Sequence, residues 1–181
     1  MQALEGAEHE TIIKTAMFTG MREGELLGLQ WSCVDFDRGI ILVNKQMTHP
    51  REKGDTYRLA SLKNDKPRKI QPAPYVMDML KKHKIKQMAE RLRLGAIWND
   101  EGFPDLVFTG ATGAPLSYQI LTRHYKKALE AAQIEDHRFH DLRHPYVKHT
   151  TKIFSLRLKF FQAQPVPDAL RKTRGAFLHL W

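Results

Sequence analysis

The sequence predicts an α+β fold: one mainly helical domain carrying a small three-stranded antiparallel sheet, followed by an atypical basic tail. Three observations point there. Several segments repeat apolar residues at helical spacing, three short β-rich runs lie between residues 39 and 72, and the pattern changes character after about Val147. The domain is therefore expected over 1–147 and the tail over 148–181. A chain of 181 residues suffices for one well-buried domain and is short for two of ordinary size.

Each element has its own reason. In residues 9–19, Ile12, Ile13, Ala16 and Met17 recur at helical spacing, and Gly20 is a stop. A second short helix is expected from 22 to 30, with Glu23 and Glu25 in its first turn, where negative side chains suit the helix dipole. Residues 39–46, 56–63 and 67–72 read as three strands, joined by turn chemistry at Gly54-Asp55 and Asn64-Asp65. From Tyr75 to Leu94, Val76, Met79, Leu80, His83, Ile85, Met88 and Leu92 predict one apolar stripe with lysines opposite, capped by Gly95. Phe103–Phe108 suggests a short extended piece. Ser117–Ala132 predicts a helix led by a capping serine. A last helix should start near Phe139 or His140, kinked or delayed by Pro145.

Composition excludes some classes of function. No run approaches the roughly eighteen apolar residues of a membrane span. Residues 1–10 carry no secretory pattern, so a cytoplasmic location is expected. The single cysteine, Cys33, beside Trp31 and Val34, reads as a small buried apolar residue. A net charge of +9 favours a polyanionic partner, nucleic acid first.

Two segments carry candidate chemistry: Thr19-Gly20-Met21-Arg22-Glu23-Gly24-Glu25-Leu26-Leu27 and His140-Asp141-Leu142-Arg143-His144. Each sets an arginine at the start of a helix, and two converging guanidiniums answer the problem of holding a phosphate. His140 and Arg143, three apart, share a helix face, and an imidazole can move a proton beside a permanent cation. His140 and His144 are also four apart, the spacing of a zinc-binding His-x-x-x-His helix. Arg143 between them would set a cation beside a dication, which disfavours that hydrolase reading.

Taken together, the Thr-Gly-Met-Arg-x-Gly-Glu-Leu turn, the basic hairpin and the His-Asp-Leu-Arg-His segment resemble the catalytic domain of the tyrosine recombinases, the phage and conjugative-transposon integrases. The likeness runs over about residues 9–147. It implies that Arg22 and Arg143 bind the non-bridging oxygens of a scissile DNA phosphate, that Lys63 is the general acid with Lys66 as the fallback, and that His140 assists proton transfer. His144 is secondary, and Glu25 supports the arginine turn without being catalytic. It implies double-stranded DNA as partner, copies of the chain assembling on it, and no nucleotide, metal or membrane.

One departure stands out. Members of that family attack the phosphate with a tyrosine some distance after the second arginine, whereas the last tyrosine here is Tyr146, which looks like core packing. Three explanations compete: a degenerate remnant, a frame altered near residue 147, or a tyrosine lent by a neighbouring protomer, although a partner with this same sequence has no tail tyrosine to lend. Impaired cleavage with retained DNA binding is the expectation; a non-catalytic nucleic-acid binder is the alternative.

Overall fold

Ridges of apolar side chains from the N-terminal helix outwards organise the molecule. The computed structural model describes residues 9–48, 56–62, 66–131, 133 and 135–143, Arg143 by its backbone alone. All of these belong to a unit spanning 2–145, and the expected boundary at 147 lies outside them. In chain order the elements are α1 (Glu10–Thr19), α2 (Glu23–Leu27), β1 (Val34–Asp35), β2 (Ile40–Val43), β3 (Lys45–Thr48), β4 (Arg58–Ser61), β5 (Arg68–Ile70), α3 (Pro74–Leu94) and α4 (Tyr118–Ala131). Short 3-10 turns lie at Trp31–Cys33, Gly95–Ile97 and Phe139–Arg143.

The helix α1 is the hub. Ile12, Ile13, Ala16 and Met17 are all buried, and the helix packs on α2, on α3 and on the Phe139–Arg143 turn. The buried face of α1 is the one written into the sequence at helical spacing. Leu26 and Leu27 from α2, Leu80 from α3, Leu121 from α4, and Leu106 and Leu116 from the intervening loops complete the core.

A three-stranded antiparallel sheet is present, in the order β1-β2-β5, with Ile41 opposite both Val34 and Ile70. Its membership differs from the expected one. The run 39–46 splits at Asn44: Ile41 and Val43 face inward, but Lys45, next in that alternation, is exposed. Beyond the break, β3 leaves the sheet and pairs with β4 as a separate two-stranded ribbon, Met47 opposite Leu59. The place expected for residues 56–63 is taken by β1.

The stripe expected along α3 is covered only over its first half. Val76, Met77 and Leu80 are buried, whereas Ile85, Met88 and Leu92 are 68%, 57% and 83% exposed. Helical position explains this: Ile85 and Leu92 lie roughly opposite Val76 and Leu80 around the axis, so one buried stripe cannot hold both pairs. Phe103–Phe108 forms no strand; Leu106 makes an isolated bridge to Gln30. Cys33 is half-buried rather than buried, its thiol 3.5 Å from Asn44 Oδ1. Among the described residues no helix is long and apolar enough to cross a membrane.

Candidate functional site

The end of α1 and the start of α2 are built to hold one arginine still. Gly20 caps α1 with φ +64°, its N–H bonded to the Ala16 carbonyl at 3.0 Å. This left-handed turn suits glycine, which lacks the Cβ that makes the conformation costly. Thr19 donates its hydroxyl to the Thr15 carbonyl at 2.6 Å and accepts the Met21 N–H at 3.4 Å. Met21 is buried, so the chain enters α2 with Arg22 in extended conformation at the N-cap. Three residues on, Glu25 Oε2 accepts the Arg22 backbone N–H at 2.8 Å, half of a capping box.

The same carboxylate accepts Arg22 Nη1 at 3.1 Å and both Nη atoms of Arg68, at 2.9 and 2.6 Å. The Glu25 side chain is 1% exposed, those of Arg22 and Arg68 38% and 32%. Arg68 reaches it from β5, where it stands opposite Val43 in the sheet. Burial alone would push the Glu25 carboxyl up. The fork of Arg68 and the N–H and guanidinium of Arg22 outweigh it and hold the group below the usual glutamate range. Two arginines on one carboxylate give the trio a formal net charge of +1.

Glu23, next along α2, has the opposite fate. Its Oε1 is buried without a hydrogen-bond partner, and desolvation pushes its carboxyl up to about 7. Gly24 and Gly28 let α2 lie directly on β3; a Cβ at Gly28 would stand 2.6 Å from the Met47 nitrogen. That approach ties the arginine turn to the ribbon.

The second segment forms a 3-10 turn rather than a helix. Phe139 and Leu142 are buried, Phe139 edge-on to Tyr125 with centroids 5.3 Å apart, and His140 between them is exposed. The turn packs against α1, the helix that ends at Thr19 shortly before Arg22. Its start is held by Asp141, which accepts the Arg138 N–H at 3.0 Å and Nη2 at 3.2 Å. Hydrogen bonding from Arg138 first of all holds the Asp141 carboxyl below its ordinary value.

Of the expected site residues, the structure places Arg22 at the helix entrance, His140 on an exposed turn and Lys66 exposed just ahead of β5. Lys63, His144, Tyr146 and the side chain of Arg143 lie outside the described residues. Arg68 was not among the expected residues. A signal existed: Glu25 sits on the same short helix as Leu26, Leu27 and Leu29, and an acid on a buried face calls for a cation. Among the described residues no three His, Cys, Asp or Glu side chains gather as metal ligands do. A cavity of about 200 Å³ bounded by Trp31, Gln87, Trp98 and Phe103 contains none of the residues above.

With this geometry in hand, comparison with known proteins gives a consistent answer. The family model described as the phage integrase family matches residues 1–151. The chain belongs to the phage integrase family. Over 160 residues it is 32% identical to a tyrosine recombinase XerC-like protein of Caldanaerobacter subterraneus subsp. tengcongensis, a match covering 84% of this chain and 40% of the relative. An integrase of Streptomyces ambofaciens is 29% identical, covering 81% of this chain and 38% of that one. The chain thus spans about two fifths of the curated relatives it matches. The fold is shared with the Tn1549 transposon integrase solved with circular intermediate DNA: TM-score 0.60, 21% identity, 91% of this chain and 51% of that one. It is shared also with the XerA recombinase, at TM-score 0.55 and 22% identity over 92% of this chain and 61% of that one. The α+β fold is that of a tyrosine-recombinase catalytic domain.

Proposed function

We propose that this domain grips a phosphate of double-stranded DNA and descends from strand cleavage and rejoining by transesterification. Arg22, exposed at one edge yet fixed to a buried carboxylate that Arg68 also binds, is the observation that carries the reading. Arg22 and Arg143 take the two non-bridging oxygens and stabilise the added negative charge of the five-coordinate transition state. In the family's reaction a phenol oxygen bonds to phosphorus, the 5′ oxygen leaves, and the 3′ phosphotyrosyl ester conserves the bond energy. Lys63, or Lys66 in its stead, delivers the proton to the departing 5′ oxygen; His140 assists proton transfer at the nucleophile, with His144 secondary. The reaction requires neither nucleotide nor metal, and copies of the protein assemble on the duplex.

Residues 147–181 carry no phenol, so the reading assigns this polypeptide DNA binding with impaired cleavage. The net charge of +9 supports a second reading, a purely non-catalytic nucleic-acid binder whose basic faces track phosphates. A duplex nicked near the cleavage point separates the cases. Shifted bands without covalent protein–DNA adducts are expected; adducts would show an active nucleophile, and no shift at all would sink DNA binding.

A further inference from the structure

We infer that the cavity between the second half of α3 and the loop 98–113 binds a single nucleotide, free or within a single strand, its base against aromatic walls and its phosphate at Lys84 and Arg91. No residue of the Arg22 site lines it, so the inference stands apart from the phosphate reading above. The cavity measures about 200 Å³. Sites for drug-sized ligands run from about 300 to 1,000 Å³, so this one suits one ring system with the rest of the ligand outside. Trp31, Trp98 and Phe103 supply the aromatic surface, and a flat π face is what a nucleobase stacks on whatever its sequence context. Two of these walls are fixed before any ligand arrives. Gln87 accepts the Trp31 indole N–H at 2.7 Å, and its amide donates to the Leu106 and Val107 carbonyls and the Thr109 hydroxyl, each at 3.2 Å. Gly113, at φ +95°, lies so close to Trp98 that a Cβ there would stand 2.4 Å from the indole. With both indoles already held, little ordering cost remains to be met on binding.

Charge makes the arrangement specific. Lys84, Gln87 and Arg91 recur at three- and four-residue steps, on one face of α3, and all line the cavity. Lys84 Nζ rests over the Trp31 ring, 5.3 Å from its centroid, and neither Lys84 nor Arg91 makes an ion pair among the described residues. The loop brings two acids instead. Asp100 accepts the Gly102 N–H at 3.1 Å, and Asp105 accepts the Ser32 N–H at 3.2 Å and its hydroxyl through the same oxygen, which leaves each carboxylate with acceptor capacity to spare. Two cations and two acids cancel formally, so bulk charge does not choose the ligand. It must carry an anion for the α3 side and a donor for the loop side. A nucleotide whose base bears an exocyclic amine carries both; thymidylate lacks the amine.

The test reads the two indoles. In ¹⁵N-tryptophan-labelled full chain, the Nε1–H signals of Trp31 and Trp98, assigned by their loss in W31F and W98F, are followed while 5′-deoxyadenylate is titrated at constant ionic strength. Both should shift saturably with one apparent affinity. K84A/R91A removes two side chains that hold no ion pair among the described residues, so the fold should survive. It should weaken deoxyadenylate about tenfold, the loss of a charge-assisted contact, and leave deoxyadenosine, which has no phosphate, unchanged. F103A should weaken both ligands, and thymidylate should bind several-fold more weakly than deoxyadenylate. A short oligodeoxyadenylate strand separates the sources of the base: tighter binding of the strand assigns the cavity to single-stranded DNA, and tighter binding of the free nucleotide assigns it to a soluble one. No saturable shift with either ligand, an equal response to ribose 5-phosphate, thymidylate binding as well as deoxyadenylate, or wild-type affinity in K84A/R91A overturns the inference.

Discussion

Arg22–Glu25 and Arg138–Asp141 use one local device in two settings. In each, an arginine precedes a helical turn, and an acid three residues on accepts its backbone N–H, at 2.8 and 3.0 Å, and its guanidinium, at 3.1 and 3.2 Å. The surroundings then diverge. Glu25 is 1% exposed and shared with Arg68, while Asp141 is 23% exposed and its arginine 85%. In the open setting water competes for every partner, and the pair does little beyond ordering a turn. In the closed one, water cannot substitute for a lost partner, so the carboxylate dictates where two guanidiniums stand. The motif alone does not make a site; burial and a second cation do.

Removing the two acids should expose that difference most plainly. Glu25→Ala leaves two half-buried guanidiniums without their common anion and should lower unfolding stability by about 3 kcal/mol. Urea denaturation of both alanine variants provides the comparison: equal losses for Glu25→Ala and Asp141→Ala would mean that burial does not separate the two regions.

The next effect is steric and belongs to the first region alone. Gly28→Ala puts a methyl 2.6 Å from the Met47 nitrogen and 2.8 Å from the Gln46 carbonyl carbon, both backbone atoms of β3. Overpacking against backbone that cannot rotate away should cost about 2 kcal/mol. If instead the variant is as stable as wild type by the same denaturation, α2 does not depend on this close approach for its placement.

The pH dependence sharpens the contrast inside α2 itself. Glu23 is raised in the folded state to about 7 from 4.5, so the native form holds its proton more tightly than the unfolded one. Its contribution is fully present below about 4.5 and is lost as pH climbs through about 7. Glu25 is shifted down, so its contribution is present above the ordinary glutamate value and is lost as pH falls through the lowered one. Glu23→Gln should therefore flatten the decline in stability between pH 5 and 8 by about 1 kcal/mol, after allowance for solvent screening. Glu25→Gln should instead blunt the acid limb. Unfolding midpoints followed from strongly acidic to neutral pH read both slopes, and a steeper neutral decline in Glu23→Gln would reverse the assignment.

How far the sequence reveals this depends on the range of each interaction. Gly20 and Arg22 are legible because a helix stop and a helix start are local matters, decided within four or five residues. The partnership of Glu25 with Arg68 spans 43 positions and depends on the strand register, which β-propensity does not supply. The sheet departs from the expected one where Lys45 breaks the alternation begun by Ile41 and Val43: the chain switches there from sheet to ribbon, and β1 fills the third place. Along α3, helical geometry sets Ile85 and Leu92 roughly opposite Leu80, and the sequence does not say which of the two apolar faces its neighbours cover. At the second motif, Phe139 and Leu142 announce a buried side, yet spacing does not distinguish a 3-10 turn from an α-helix over so few residues.

The smallest expected effect closes the comparison from its weaker side. Asp141→Ala removes a cap and an ion pair that solvent largely surrounds, and should cost about 0.5 kcal/mol. Its sensitivity to salt should be proportionally larger, because an exposed pair is screened over a Debye length of about 8 Å at physiological ionic strength and a buried one much less. Repeating the denaturation in low and high salt should therefore shrink the Asp141→Ala penalty towards the cap's share while leaving the Glu25→Ala penalty nearly unchanged. Were the Glu25 penalty to fall with salt in the same proportion, its carboxylate would be reached by mobile ions, and the shared anchor for Arg22 and Arg68 would have to be an open one.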